Sequence, residues 1–192
     1  MAGIKVYAAD LNGVWIPKIS RATFTSWVVS TVGSTNTSLS EHFKSVTKTH
    51  EDGFVAAGYY TIGGPSNTGA LLVKYNKNMN VVSQHGLGGT NREDYECVIK
   101  TNDGGYLAAG YQESDSQGLY DALIVKYDSN LGVVSQHGLG GSGDDYYYSV
   151  IQSSDGGYVA VGKQDSDTQG QAEALIVKYD SNLNVITHNS LG

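Results

Sequence analysis

The chain repeats itself with a period of 52 residues, and this period limits the folds open to it. A glycine and a Lys-Tyr pair mark the register of each copy, at Gly58, Gly110 and Gly162 and at Lys74, Lys126 and Lys178. The register holds without a gap from about residue 38 to residue 192. Such self-similarity predicts stacked supersecondary units. The sequence therefore divides into an N-terminal segment, 1–37, and three copies, 38–89, 90–141 and 142–192.

Each copy contains the signals of four β-strands, which are clearest in the third copy. An alternating segment, Tyr148–Gln152, is followed by Ser154–Gly157, whose Asp-Gly step supplies the positive φ of a two-residue hairpin. The remaining strands are predicted at Tyr158–Gly162, Ala174–Val177 and Val185–Thr187. The third of the four is apolar on both faces, which indicates a strand covered from both sides. The glycine that ends the second strand predicts close approach of an adjacent sheet.

A four-stranded sheet of this length cannot bury both faces alone, so the copies must stack on one another. Radial stacking predicts an all-β propeller-type array of antiparallel blades, and propellers usually have about four to eight of them. Three copies do not close such a ring. Residues 1–37 contain strand-like segments at Ile4–Ala8, Val14–Ile19 and Trp27–Ser30, although Pro17 confines the second to an edge or irregular strand. This segment forms either a degenerate blade or a docking segment, and the ring closes as four blades or through oligomerisation.

Three motifs of the repeat carry a likeness to a known family. The runs Asp-Gly-Gly-Tyr-Val-Ala-Val-Gly at 155–162, Ala-Leu-Ile-Val-Lys-Tyr-Asp at 174–180 and Leu-Gly-Gly at 139–141 resemble kelch-like propeller repeats of bacterial and archaeal surface proteins. The resemblance covers about four fifths of the chain. It implies a binding or scaffolding role and names no ligand. Residues 4–18 also resemble short segments of phage tail and fibre proteins.

The loops between the second and third strands, at 59–69, 111–121 and 163–173, differ most between the copies. Binding sites favour variable loops on a constant scaffold, and a meander places these loops beside those that join successive copies. Tyrosine rings next to carboxylates suit a glycan, and tyrosine is also a favoured anchor for a protein partner. The predicted ligand-binding residues are Tyr59, Arg92, Glu93, Asp94, Glu113, Asp115, Tyr120, Asp121, Asp144, Asp145, Asp165, Asp167 and Glu173.

The sequence predicts no cofactor and no metal, with calcium as the alternative to test. Asp165, Asp167 and Gln169 imitate the start of an EF-hand loop, and Glu173 falls at its ninth position. The closing bidentate glutamate is absent, because the twelfth position is Ile176, inside a predicted strand. Solvated acids in a turn are the other interpretation of this pattern.

Composition and charge exclude several classes of function. The formal charge of −7 and the lack of a Lys/Arg cluster argue against binding nucleic acid or an anionic membrane. No run reaches the length of a signal peptide or a membrane span, which predicts a soluble chain made in the cytoplasm, with assembly into a virion or surface structure left open. An enzyme is not expected, because the candidate acids recur from copy to copy, whereas catalysis needs one asymmetric pair.

These observations predict a non-enzymatic recognition module that presents its variable loops to a glycan or protein partner. One alternative is a structural component of a larger assembly, such as a phage tail or fibre, docked through residues 1–37. The second alternative is a propeller glycosidase, which would need one acid that titrates far from its neighbours. Under any of these hypotheses the incomplete ring favours a homo-oligomer.

Overall fold

The computed structural model describes residues 7–9, 15–17, 40–61, 67–88, 92–113, 119–165 and 172–191. These residues form fourteen β-strands and no α-helix, so the all-β class is confirmed. The described part of the chain therefore contains no helix that is long and apolar enough to cross a membrane. The chain divides into two compact units, residues 1–39 and 40–192, and each is described by itself.

The described part of the first unit is a short hairpin. Strand β1 (Tyr7–Ala9) pairs antiparallel with β2 (Trp15–Pro17), with Ala8 opposite Ile16. Both strands overlap the predicted segments 4–8 and 14–19, whose remaining residues lie outside the described part of the chain. The predicted strand 27–30 lies outside the described residues, so the role of 1–37 stays a prediction.

The second unit contains three four-stranded antiparallel sheets, one for each copy of the repeat. In every sheet, strands that are consecutive in the chain are also neighbours in space, so each copy is a simple meander. The first sheet contains β3 (Glu41–Lys48), β4 (Phe54–Thr61), β5 (Thr68–Tyr75) and β6 (Val81–Leu87). The second contains β7 (Glu93–Lys100), β8 (Tyr106–Glu113), β9 (Tyr120–Tyr127) and β10 (Val133–Leu139). The third contains β11 (Tyr146–Gln152), β12 (Tyr158–Gln164), β13 (Glu173–Tyr179) and β14 (Val185–Leu191).

The hairpin between the first two strands of a copy has three residues rather than the predicted two. In the second copy the Thr101 N–H donates to the Gly105 carbonyl (3.0 Å) and the Gly104 N–H donates to the Thr101 carbonyl (3.2 Å). The loop therefore spans 102–104, and its third residue, Gly104, has the positive φ of 92° that the Asp-Gly step predicted. The loop is one residue longer than predicted because Thr101 pairs with Gly105 across the two strands. This pairing register cannot be seen in the sequence.

Two apolar cores join the three sheets in chain order. The first lies between the first and second sheets, where Leu72 and Ala57 meet Tyr95 and Val98. The second lies between the second and third sheets and contains Leu107, Ile124, Tyr147 and Val177 among others. At each junction the first strand of the following sheet makes the close approach, since β7 lies against β3, β4 and β5, and β11 lies against β7, β8 and β9.

Repeat-equivalent polar contacts reinforce both junctions. The Lys74 ammonium donates to the carbonyl of Ser129 in the next sheet, and Lys126 donates to that of Ser181, each at 3.1 Å. The His85 ring packs against the Tyr127 ring with centroids 5.3 Å apart, and His137 packs likewise on Tyr179. Burial lowers the pKa of His85. The two histidines thus contribute to sheet packing at equivalent positions of the two junctions.

The third strand of each copy is not buried to the same extent in all three sheets. Strand β5 is buried along its whole length, and the apolar residues of β9 are buried on both faces, as predicted. In β13 only one face is buried: Leu175 and Val177 point into the second core, whereas Ala174 and Ile176 are exposed. The prediction of a strand covered from both sides is therefore wrong for the third copy, because no described sheet follows it.

Candidate binding site

A β-bulge in the first strand of every sheet creates the site. Tyr95 pairs with Gly110 and Cys97 pairs with Ala109, so Glu96 is an extra residue without a partner across the sheet. The same shift makes Lys44 the extra residue in the first sheet and Tyr148 in the third. A bulge bends its strand and re-aims the inserted side chain. The three copies thus present Lys44, Glu96 and Tyr148 at one position of the fold.

Gly110 is needed because of this bulge. A Cβ atom added at Gly110 would overlap the carbonyl oxygen of Asp94, and Gly58 and Gly162 face the carbonyls of His42 and Tyr146 in the same way. The sequence predicted that these glycines let an adjacent sheet approach. The structure corrects this: the crowding comes from the first strand of the same sheet, where the bulge pushes a carbonyl over the glycine.

A buried carboxylate lies beside the bulge residues. Asp94 is only 1% exposed, and its Oδ2 atom accepts hydrogen bonds from the Lys44 ammonium (2.7 Å) and the Tyr111 hydroxyl (3.2 Å). The Lys44 ammonium also donates to Glu96 Oε1 at 2.6 Å and lies 5.8 Å from the centre of the Tyr111 ring. Lys44 therefore links the first sheet to two acids and a tyrosine of the second.

Burial is the largest single influence on the pKa values of this group, and hydrogen bonds act beside it. It raises the pKa of Asp94, and the hydrogen bond from Lys44 offsets this only in part. Burial acts to lower the pKa of Lys44, but the hydrogen bonds to Asp94 and Glu96 outweigh it, so the net pKa is raised. The pKa of Tyr111 is raised by burial and then by the charge of Asp94. At neutral pH the phenol is therefore a neutral donor and the ammonium keeps its charge.

Arg92 stands at the start of the same strand. Its guanidinium carbon lies 5.9 Å from the centre of the Tyr120 ring, and Nη1 is 3.5 Å from the Tyr120 hydroxyl. Its backbone N–H donates to Glu113 Oε2 at 3.2 Å. These contacts fix Arg92 by its backbone and by a cation–π contact, while its buried Nε has no hydrogen-bond partner among the described residues.

Four tyrosines continue the site onto the third sheet. The Tyr146 ring packs edge-on against Tyr111, with centroids 4.8 Å apart, and in a tilted arrangement against Tyr120, with centroids 5.5 Å apart. Tyr148 lies parallel to Tyr146, with an interplanar angle of 12° and centroids 6.2 Å apart, and is 50% exposed. The row ends in an accessible flat aromatic surface, which suits the C–H face of a sugar.

Acids from the third sheet border this row. The Asp144 carboxylate accepts a hydrogen bond from the Tyr120 N–H (3.2 Å), and Asp145 accepts one from the Asp165 N–H (3.0 Å). Lys163 pairs with Asp165 at 3.0 Å and lies 5.0 Å from the centre of the Tyr146 ring. Burial and then the nearby charge of Asp145 raise the pKa of Asp121. We call this group of residues the bulge strip. It contains Lys44, Tyr59, Arg92, Asp94, Glu96, Tyr111, Tyr120, Tyr146, Tyr148 and Lys163, together with the bordering acids Asp144, Asp145 and Asp165.

The structure brings together most of the predicted binding residues, but in strands rather than loops. Strands β4, β8 and β12 run on to Thr61, Glu113 and Gln164, so the predicted loops are shorter than expected. Tyr59, Tyr120 and Asp121 are strand residues, and so are Glu93, Asp94, Glu113 and Glu173. Tyr59 joins the strip through Lys44, whose ammonium is 5.3 Å from its ring centre. Glu173 pairs with Gln164 at the start of β13, while Asp115 and Asp167 lie outside the described residues.

Sequence reasoning missed Lys44, Glu96, Tyr148 and Lys163 as binding residues. Lys44, Glu96 and Tyr148 occupy one position of the repeat, which changes from a cation to an anion to an aromatic residue, while the next position contains only Ser or Cys. That change at the bulge position was the signal that could have found them.

Two buried polar atoms of the strip lack a hydrogen-bond partner among the described residues, Asp94 Oδ1 and Arg92 Nε. An unpaired buried polar group costs about 1–3 kcal/mol, and native proteins seldom leave one without a reason. Both atoms are closed to solvent, so a buried bridging water would satisfy either one, whereas a ligand at the surface would not reach them. The described residues also contain no group of three or more His, Cys, Asp or Glu side chains placed to hold a metal ion. The calcium pattern stays a prediction, because Asp167 and Gln169 lie outside the described residues.

Comparison with models of known protein families and with curated proteins finds no match for the chain.

Proposed function

We propose that this chain is a non-enzymatic binding module of β-propeller type whose bulge strip binds a glycan. The observation that carries the proposal is an accessible tyrosine surface, Tyr148 stacked on Tyr146, beside the charged side chains of Lys163 and Asp165. A sugar offers an apolar C–H face for the rings, and its hydroxyls can both donate to and accept from such charged groups.

The propeller arrangement is supported by the way in which the sheets stack. The same face of each meander receives the first strand of the next one, and both junctions repeat the same lysine–carbonyl and histidine–tyrosine contacts. Repetition of one junction applies a constant rotation between sheets, and radial stacking of four-stranded meanders is a propeller.

We further propose that the strip does not catalyse glycoside hydrolysis, which needs a carboxylic acid that donates a proton beside a second, ionised carboxylate. Burial raises the pKa of Asp94, and the hydrogen bond from Lys44 offsets this only in part. The Asp94 carboxyl group is closed to solvent and its Oδ2 atom already accepts hydrogen bonds from Lys44 and Tyr111, which argues against its donating a proton to a bound sugar.

The test is a glycan array probed with the labelled full chain, followed by titration calorimetry with any glycan that binds. Tyr148→Ala should weaken binding about tenfold or more, because it removes the exposed ring. Val134→Ala is the matched control, since Val134 is also an exposed apolar bulge residue, in β10 of the second sheet, and should bind like the wild type. Equal affinities of the Tyr148 variant and the wild type, or an array without any bound glycan, would refute the proposal. Release of reducing sugar from bound glycans would show an enzyme instead.

A further inference from the structure

The outer face of the third sheet is apolar and open. Its residues are Ile151, Val159, Val161, Ala174 and Ile176, which we call the acceptor face. Their equivalents in the second sheet, one repeat earlier, are Ile99, Leu107, Ala109, Ala122 and Ile124. All five of those contribute to the second core, against the third sheet. Ile176 is 47% exposed, whereas Ile124 is fully buried. The acceptor face is thus one half of a junction that the chain builds twice.

The polar contact of the junction is incomplete at the same place. Lys74 and Lys126 each donate to a turn carbonyl of the following sheet and are almost buried. Lys178, the third equivalent, pairs only with Asp155 of its own sheet among the described residues and is more exposed. An ammonium that would donate to a following turn is therefore already in position.

The other half of a junction is exposed on the first sheet only at its edge, because Ala56, Leu71, Val73 and Tyr75, the equivalents of the core residues Ala108, Leu123, Val125 and Tyr127, are already buried. At both internal junctions the following sheet inserts a tyrosine and a valine from its first strand and a leucine from the turn before its last strand. These residues are Tyr95, Val98 and Leu131 at the first junction. At the second junction they are Tyr147, Val150 and Leu183. In the first sheet the equivalents are Phe43, Val46 and Met79, which we call the donor edge. Val46 is 65% exposed, against 3% for Val98.

We propose that the acceptor face binds the donor edge of a second copy of this chain, head to tail. The geometry continues an interface that the molecule already makes, in which the first strand of the following sheet approaches most closely. Leu71 and Val73, at the middle of the first sheet, are buried, so the partner is engaged through β3 and the turn that contains Met79. A heterologous contact of this kind closes into a ring or extends into a filament.

Two variants, Ile176→Lys and Val46→Lys, test the arrangement by light scattering and sedimentation of the full chain. Each places an ammonium in an interface core and should weaken self-association about 30-fold or more. Both residues are exposed, so the fold should survive, which circular dichroism checks. Val134→Lys, an equally exposed apolar residue on neither surface, is the control and should associate like the wild type.

Mixing the two variants separates a head-to-tail contact from a symmetric one. The Ile176 variant keeps an intact donor edge and the Val46 variant keeps an intact acceptor face, so the mixture should form a dimer and no larger species. A wild type that is monomeric at every accessible concentration would overturn the proposal. So would variants that do not rescue each other, because a contact between two acceptor faces cannot be restored by mixing.

Discussion

The hydroxyl pair between Tyr95 and Tyr127, two residues of the second sheet, offers a sharp measure of what a buried hydrogen bond contributes to the first core. Both rings are buried in the first core, and their hydroxyls lie 2.5 Å apart. The change Tyr127→Phe removes one hydroxyl and leaves that of Tyr95 buried without its partner. We expect a loss of about 1–3 kcal/mol in the free energy of unfolding, because the desolvated hydroxyl receives nothing in return.

The double variant Tyr95→Phe with Tyr127→Phe should recover most of that loss, since removal of both partners leaves no unpaired group. The first sheet already contains half of this change: Phe43 replaces the first tyrosine, and the hydroxyl of Tyr75 is buried without a hydrogen-bond partner among the described residues. Phe43→Tyr should therefore stabilise the chain by about 0.5–1.5 kcal/mol. Urea unfolding of all four proteins measures the changes. A single variant that is as stable as the double, together with no gain from Phe43→Tyr, would refute the reasoning.

Two further predictions concern the cores and pH. Leu131→Ala should cost about 2–5 kcal/mol because Leu131 fills the first core, whereas Met79→Ala at the equivalent exposed turn position should cost less than about 0.5 kcal/mol, both by urea unfolding in dilute solution. The free energy of unfolding should also fall as pH rises above about 10. Burial raises the pKa of Tyr179 to about 12 and that of Tyr147 further. Between about pH 10 and these raised pKa values the unfolded chain therefore binds fewer protons than the folded one, which destabilises the fold. Urea midpoints at about pH 9 and about pH 11 measure the loss, and an unchanged midpoint would contradict it.

The repeat was sufficient to predict the strands because its signals are local. Alternation of apolar residues and the Asp-Gly step depend only on residues close together in the chain, so every copy became a four-stranded meander. The turn before the last strand shows where local signals end. Leu131 and Leu183 have a positive φ of 68°, a conformation that disfavours leucine. The three-residue loop of this turn sets the conformation, because Met79 has a φ of 61° at the equivalent position although it is 55% exposed. No glycine or asparagine marks the position, so the sequence does not reveal it.

The site was predictable in composition but not in position. Tyrosines and acids were expected in loops, because variable sequence was equated with loop structure. Lys44 and Glu96 show why this failed: a bulge depends on how two strands pair, and one inserted residue reverses the face of every side chain after it. The calcium pattern, the docking role of 1–37 and the identity of the partner stay predictions.

In this fold, packing between sheets and the proposed binding fall to different residues of the same strand. Positions that enter the cores, such as Tyr147, cannot change freely, because the neighbouring sheet is packed to their shape. Tyr148, the next residue, belongs to neither core, since the bulge removes it from the pairing pattern. If the strip binds as proposed, each repeat therefore contains one position that can alter binding at little cost in stability. The bulges of the first and second sheets are adjacent in space, as the 2.6 Å contact between Lys44 and Glu96 demonstrates. A repeat array of the proposed kind can thus change what it recognises by substitution at these positions while every sheet junction stays the same.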